Sequence, residues 1–274
     1  MNKIAPILKW AGGKRQLLSR ILPLIPTAIN RYFEPFVGAG AVLFELQPKR
    51  AVINDANTEL INIYIVIKEN CEELIKLLNC YEKKHSESFY YKIRNLDRDI
   101  AFFDTLSPIE KAARTIYLNR TCYNGLYRVN KDGFFNTPLG HNSSVQIVNE
   151  DGIRAINAYL NQNEIRLLNE DYKKAVRWMR KEDFVFLDPP YYPINRDYFT
   201  RYDVSPFGVQ EQIELKKLCD KLTVRGIRFI QMNSNCNEVR MLYQNYSIQE
   251  VQVRRSINAD VNGRIGTELI IKNY

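Results

Sequence analysis

Short apolar runs bounded by glycine, proline or charge alternate along the chain with stretches whose apolar positions recur at helical spacing. The two periods predict strands and helices in turn. Residues 32–40 read Tyr-Phe-Glu-Pro-Phe-Val-Gly-Ala-Gly, a strand running into a glycine turn; Ala41 to Leu46 is predicted helical, and Ala51-Val52-Ile53-Asn54-Asp55 is a second strand. Ile165 to Leu168, Phe184 to Leu187 and Ile227 to Met232 are further predicted strands, and Gln212 to Leu222 is a helix that Gly226 can end. Alternation of this kind predicts an α/β fold with a mostly parallel, doubly wound sheet.

From Thr58 to about Asn161 the alternation stops. Helical periodicity runs through Leu60, Tyr64 and Ile67, then through Leu74, Ile75 and Leu78. A third helix is predicted from Ser107-Pro108-Ile109-Glu110, which places a capping serine, a proline at the first helical position and a glutamate at the third. The block is an α-rich insertion, 58–161, flanked by 1–57 and 162–274. Its tail, Asn119 to Asn142, is turn-rich and mixes Arg, Tyr and Asn, the composition of a hairpin that reads base edges, although a plain polar connector shares it.

The 274 residues, 45% hydrophobic and 26% charged, suffice for one α/β domain with an inserted subdomain. No apolar run approaches the roughly 18 residues of a membrane span, and the amino terminus has no secretory pattern, so the expected compartment is the cytoplasm, away from any membrane. Cys71, Cys80, Cys122, Cys219 and Cys236 include no C-x-x-C pair, and His85 and His141 are the only imidazoles. This argues against a zinc site, a disulfide framework and triad hydrolysis. The net charge of +8 favours a polyanionic partner. Arg94, Arg98, Lys111, Arg114, Arg120 and Arg128 crowd one segment and Arg254, Arg255 and Arg264 another, so both are candidate phosphate-contacting surfaces.

Asp188-Pro189-Pro190-Tyr191 follows the apolar run Phe184 to Leu187 and carries the candidate chemistry. Proline and aspartate make it a plausible strand-ending turn. It also suits an amino group on a flat ring, whose lone pair is spread into that ring and must be drawn back onto nitrogen. Asp188 and the carbonyl of Pro189 provide two acceptors for the two N–H groups, Pro190 restricts the direction of that carbonyl, and Tyr191 can stack on the ring. Gly38 and Gly40 let the backbone turn close to a ligand, but Leu43 stands where a dinucleotide fingerprint needs its third glycine. Asp55, as a strand-end acid, suits ribose hydroxyls or a helix N-cap. Lys9 to Lys14 is not a P-loop, since Leu8 and Arg15 replace its first glycine and its Ser or Thr. It remains a ligand loop, with Lys14 suited to a carboxylate and Trp10 to an apolar or cationic contact.

In these elements the sequence resembles the Dam-type, alpha-class DNA adenine-N6 methyltransferases. The matching segments are Lys9-Trp10-Ala11-Gly12-Gly13-Lys14, Phe33-Glu34-Pro35-Phe36-Val37-Gly38-Ala39-Gly40, Asn54-Asp55-Ala56-Asn57, the run Asn119 to Arg128, Phe135 to Gly140, and Leu187 to Tyr191. They follow the family's order and span nearly the whole chain. The resemblance implies a Rossmann-like S-adenosylmethionine-dependent methyltransferase sheet, 1–57 with 162–274, and an inserted target-recognition subdomain, 58–161. It implies S-adenosylmethionine as methyl donor, held by Trp10, Lys14, Pro35, Phe36, Gly38, Ala39, Gly40, Asp55, Asp171, Tyr172 and Asp188, with no metal. Catalysis would fall to Asp188, Pro189 and Tyr191. Similarity to the GATC-specific group implies that Lys9, Asn124, Leu126, Arg128 and Pro138 read double-stranded DNA while Tyr123 wedges beside an extruded adenine.

The same resemblance admits a cognate restriction endonuclease acting on the same sequence, without required contact. The loop Arg196 to Phe207 is a candidate cover for the flipped base. Three other readings compete: a cytosine-N4 methyltransferase, which more often has Ser before Pro-Pro; a methyltransferase of RNA or of a protein amide; and a DNA-binding relative without catalysis.

Overall fold

A computed structural model describes residues 4–10, 12–141, 146–192, 207–254 and 265–274. Among them the strands are β1 (Tyr32–Glu34), β2 (Arg50–Asn54), β3 (Glu164–Leu168), β4 (Phe184–Leu187), β5 (Arg228–Ser234), β6 (Ser247–Arg254) and β7 (Ile265–Lys272). The chain divides into two compact units. The first comprises Met1–Lys14, Gly38–Gln47 and Asp55–Asn169; the second comprises Arg15–Val37, Pro48–Asn54 and Glu170–Tyr274.

The second unit is built on strands in the order β2-β1-β4-β5-β7-β6. The first four are mutually parallel, with Phe33 opposite Val52 and Val185, and Val185 opposite Phe229. Every residue of β1 and of β4 is buried, which is why these strands read as unbroken apolar runs instead of alternating ones. The helix Val209–Val224 ends at Gly226, whose φ of +68° supplies the left-handed turn expected of a helix-ending glycine.

The carboxyl-terminal strands depart from the parallel expectation. β7 runs antiparallel to β5, and β6 antiparallel to β7, so the unit closes on a pair that the strand and helix alternation did not signal. The signal exists in β6, where buried Val251 and Val253 alternate with exposed Gln252.

The first unit is mainly helical. Thr58–Glu69, Cys71–Lys83 and Pro108–Thr121 match the three predicted helices, and the Ser107–Glu110 capping box forms with both reciprocal bonds. Three helices were not anticipated: Glu87–Arg94, Ile100–Thr105 and Glu150–Gln162. The segment Asn119 to Asn142, expected as a hairpin or a plain connector, begins inside the Pro108–Thr121 helix, then turns through Tyr123–Gly125 into a hairpin with bridges at Cys122 to Leu139 and Val129 to Phe135. Among the described residues no helix is long and apolar enough to cross a membrane. All five cysteines are free thiols.

Candidate active site and DNA-reading loop

The second unit carries the Asp188 to Tyr191 loop directly after β4. Burial of Phe184 to Leu187 on both faces fixes where the strand delivers Asp188. Pro189 is buried, whereas Asp188 and Tyr191 are half-buried. The Tyr191 hydroxyl donates to Glu268 Oε2 at 2.6 Å, which anchors the outer end of the ring. Burial, followed by the negative charges of Asp188 and Glu268, pushes the phenol well above its ordinary pKa.

In the same unit Phe36, Tyr172 and Phe207 form a three-ring cluster with centroids 5.1 to 5.7 Å apart. The Tyr172 hydroxyl donates to Glu211 at 3.2 Å, and burial followed by Glu211 raises its pKa. Asp171 caps the following turn through Lys173 N. The Pro35 carbonyl accepts from Asn54 Nδ2, whose Oδ1 accepts from Glu170 N; buried Asn54 thus ties the turn after β1 to the segment bearing Asp171. Phe207 lies 9% exposed within this ring cluster, while 196–206 lie outside the described residues.

The first unit carries the glycine turn. Gly38 and Gly40 both have φ in the left-handed region, at +49° and +73°. A Cβ on Gly38 would stand 3.1 Å from the Trp10 ring, and one on Gly40 would stand 2.8 Å from Phe44. The missing side chains therefore make room for aromatic rings of the protein itself, which bring the turn against Trp10. Trp10 stacks on Tyr127 at 5.0 Å, and half-buried Ala39 completes the turn. Buried Lys14 donates its ammonium to the Gly12 carbonyl. Ala11 lies outside the described residues.

Asp55 follows β2 immediately. Its Oδ2 accepts from Gly38 N at 3.1 Å and its Oδ1 from Asn57 N at 2.9 Å. The helix N-cap is Asn57, which accepts from Leu60 N, and not Asp55. A carboxylate offers about four acceptor positions, so two bonds leave capacity for a pair of ligand hydroxyls. Burial raises the Asp55 pKa against the opposing effect of those two N–H groups.

The recognition candidates of the first unit meet around one buried side chain. Asn119, 0% exposed, accepts from Lys9 N at 2.9 Å and donates to the Lys9 and Gly125 carbonyls at 2.7 and 3.1 Å. The Lys9 stem lies where a Cβ on Gly125 would be, 2.4 Å from its Cδ. Tyr123 is 46% exposed, donates its N–H to the Pro138 carbonyl at 2.9 Å, and meets His141 edge to face. Asn124 holds a φ of +55°, a conformation that asparagine tolerates better than most residues. The Leu126 carbonyl accepts from Thr137, and exposed Arg128 is oriented by a 2.7 Å bond from Nε to Asn136 Oδ1.

Comparison with known proteins supplies the identity. The family model "D12 class N6 adenine-specific DNA methyltransferase" matches residues 10–257. The chain belongs to this family. It is similar to the type II methyltransferase M1.LlaDCHI of Lactococcus lactis subsp. cremoris, at 41% identity over 100% of this chain and 97% of the relative. It is similar also to type II methyltransferase M.MjaIII of Methanocaldococcus jannaschii, at 37% identity over 99% and 100%. DNA adenine methylase of Escherichia coli K12 is 30% identical over 100% and 96%. Among solved structures a precorrin-8W decarboxylase from Methanobacterium thermoautotrophicum covers 99% of this chain and 95% of its own at a TM-score of 0.39 and 13% identity, too loose a likeness to bear on fold or function.

Membership makes the chain an adenine-N6 DNA methyltransferase and sets aside the cytosine, RNA, protein-amide and non-catalytic alternatives. Part of the expected basic surface of this methyltransferase is not surface at all. Arg114 is 1% exposed and pairs with Asp97 at 2.6 Å and Glu59 at 3.8 Å, so it is an internal strut and not a phosphate contact. Arg98 is committed to Asp97 and the Phe135 carbonyl, and Arg120 to the Gln146 carbonyl. Arg255 and Arg264 lie outside the described residues. Sequence reasoning missed Glu268, which belongs to no motif; Asn119 and Asn136 stood inside matched segments, but their part in holding Lys9, Gly125 and Arg128 was not read from them.

Proposed function

We propose that this methyltransferase moves a methyl group from S-adenosylmethionine to N6 of an adenine flipped out of double-stranded DNA within GATC. The observation that carries the reading is the Asp188 to Tyr191 loop at the end of β4, with its tyrosine held by Glu268. The flipped base would stack on Tyr191. Asp188 and the Pro189 carbonyl would accept hydrogen bonds from its two N6–H groups, restoring the nitrogen lone pair as it attacks; fixed acceptors of this kind lower the barrier because they need no reorganisation. The N–C bond would form as the S–C bond breaks, and the methylated nitrogen would then lose one proton to solvent. When bound, the cofactor supplies an electrophilic sulfonium methyl.

The residues fit such a cofactor. Asp55 has acceptor capacity for ribose hydroxyls. Phe36 and Tyr172 offer ring faces for an adenine, and Asp171 an acceptor beside them. Trp10, Lys14, Pro35, Gly38, Ala39, Gly40 and Asp188 complete the proposed set. The insertion 58–161 would read the target through Lys9 of the amino-terminal loop with Asn124, Leu126, Arg128 and Pro138, and Tyr123 would fill the gap left by the base. The catalytic part would be 1–57 with 162–274. The expected setting is cytoplasmic DNA, where a restriction endonuclease of the same specificity could share the target without contact.

The test is labelled methyl transfer to duplexes that differ at each GATC position, followed by identification of the methylated base. N6-methyladenine confined to the GATC duplex is the expected result. Equal incorporation into altered duplexes overturns the target assignment.

A further inference from the structure

Gln212, in the first turn of the Val209–Val224 helix, and Asn233, near the end of β5, are both 0% exposed. A buried carboxamide costs free energy unless its polar atoms are hydrogen-bonded, and these two satisfy each other in a directed chain. Gln212 Nε2 donates to the Pro190 carbonyl at 2.8 Å, and Asn233 Nδ2 donates to Gln212 Oε1 at 3.0 Å. Asn233 Oδ1 accepts from Tyr192 N at 3.1 Å and from Ser234 N at 2.8 Å. The Ser234 hydroxyl donates to the Tyr192 carbonyl.

The polarity of this chain is fixed at both ends. Two backbone N–H groups demand an oxygen from Asn233, and a carbonyl demands a nitrogen from Gln212. Turning either amide over would set donor against donor or acceptor against acceptor. The relay also grips the peptide groups on both sides of Tyr191: the carbonyl before it, and the amide and carbonyl after it.

We infer that Gln212 and Asn233 are positioning residues for methyl transfer, which hold the Asp188 to Tyr191 loop through the backbone of Pro190 and Tyr192. The inference rests on the reading of that loop as the catalytic one. A displacement of about 1 Å at a reacting centre can cost on the order of 100-fold in rate. Two amides linked to two peptide groups restrict just such a displacement, which an apolar pair of the same volume would leave unrestrained.

The experiment is single-turnover methylation at saturating duplex and cofactor by Gln212→Met, Asn233→Asp, Asp188→Asn and the double variant Gln212→Met with Asp188→Asn, with thermal unfolding and both affinities measured in parallel. Gln212→Met keeps the volume and removes the relay. Its rate should fall roughly 10-fold or more, with duplex and cofactor affinities changed less than about twofold. Asn233→Asp keeps an oxygen for the Tyr192 and Ser234 N–H groups but sets its second oxygen against Gln212 Oε1, so its rate should fall as well. On the Asp188→Asn background Gln212→Met should cost clearly less than it does in the wild type, because one of the acceptors that the relay positions is already lost.

A folded Gln212→Met with wild-type rate overturns the inference, and so does the same full loss on both backgrounds. If Gln212→Met fails to fold, Asn233→Asp decides: an unchanged rate overturns the relay and a reduced one supports it. A wild-type rate for Asp188→Asn overturns the catalytic reading of the loop, and the relay with it.

Discussion

The Tyr191 hydroxyl and Glu268 Oε2 stand 2.6 Å apart, a bond that joins the loop after β4 to strand β7 at the antiparallel side of the sheet. Burial and the nearby carboxylates keep the phenol protonated, so it acts as a donor throughout the working pH range. Glu268→Gln preserves an acceptor and should retain most stability. Glu268→Leu strands a largely buried hydroxyl and should cost about 1–3 kcal/mol by chemical denaturation. Tyr191→Phe added to Glu268→Leu should restore part of that loss; an additive double variant would show that the two groups are not coupled.

Asp188→Asn should leave cofactor and duplex binding nearly intact while turnover falls by roughly 10²-fold or more, since one of the two acceptors proposed for N6–H is lost. Equilibrium binding and single-turnover rates measured on the same preparation separate the two. Unchanged turnover removes Asp188 from its proposed role.

Arg128 is exposed, yet its guanidinium is oriented by Asn136. Arg128→Ala should relax base choice at one position of the target by about 1–3 kcal/mol and weaken binding to random duplex much less. Asn136→Ala should move discrimination in the same direction by a smaller amount. Equal losses on cognate and random duplexes would make Arg128 a phosphate contact.

Asp55 gives a pH dependence whose sign follows from burial. Its folded pKa is raised above the ordinary 3.8, so the native state holds this proton more tightly than the unfolded chain does. The resulting stability is present below about pH 4 and is lost as pH rises through the raised value. Asp55→Asn should remove that loss, and the difference in thermal stability between variant and wild type should grow in the variant's favour from about pH 4 upward. Cofactor affinity should move the other way: wild type binds less tightly as the carboxylate is protonated, and Asp55→Asn binds weakly at every pH. Calorimetric titration across this range checks both signs.

The parts that were legible in the sequence are those whose cause is local. The turn at Gly38, the capping box of Ser107 and Glu110 and the helix-ending Gly226 each announce themselves within a few residues. So does β4, whose four apolar residues read as a strand buried on both faces. What depends on distant partners was not legible. Arg114 looks like one more residue of a basic cluster until Asp97 and Glu59 fold around it. Gln212 and Asn233 are two ordinary amides until a helix and a strand bring them together. The antiparallel pair β6 and β7 escaped because Val251 and Val253 alternate with polar residues, and such half-buried edges resemble loops in composition. The candidate residues themselves were readable as motifs; Asn119 and Asn136 were readable only as members of those motifs and not as supports, and Glu268 was not readable at all.

The two-sided grip of Asn119 on Lys9 and Gly125 makes the amino-terminal segment and the turn at Tyr123 a single mechanical piece. Neither can change length without dragging the other, and Gly125 cannot acquire a side chain while the lysine stem lies across it. If these segments read the target as proposed, a new preference should not be reachable by editing the hairpin alone. On the proposed reading of the target, libraries that vary residues 8–10 together with 123–126 should outperform those confined to either segment, because the two short peptides, far apart in the sequence, are held as a linked pair.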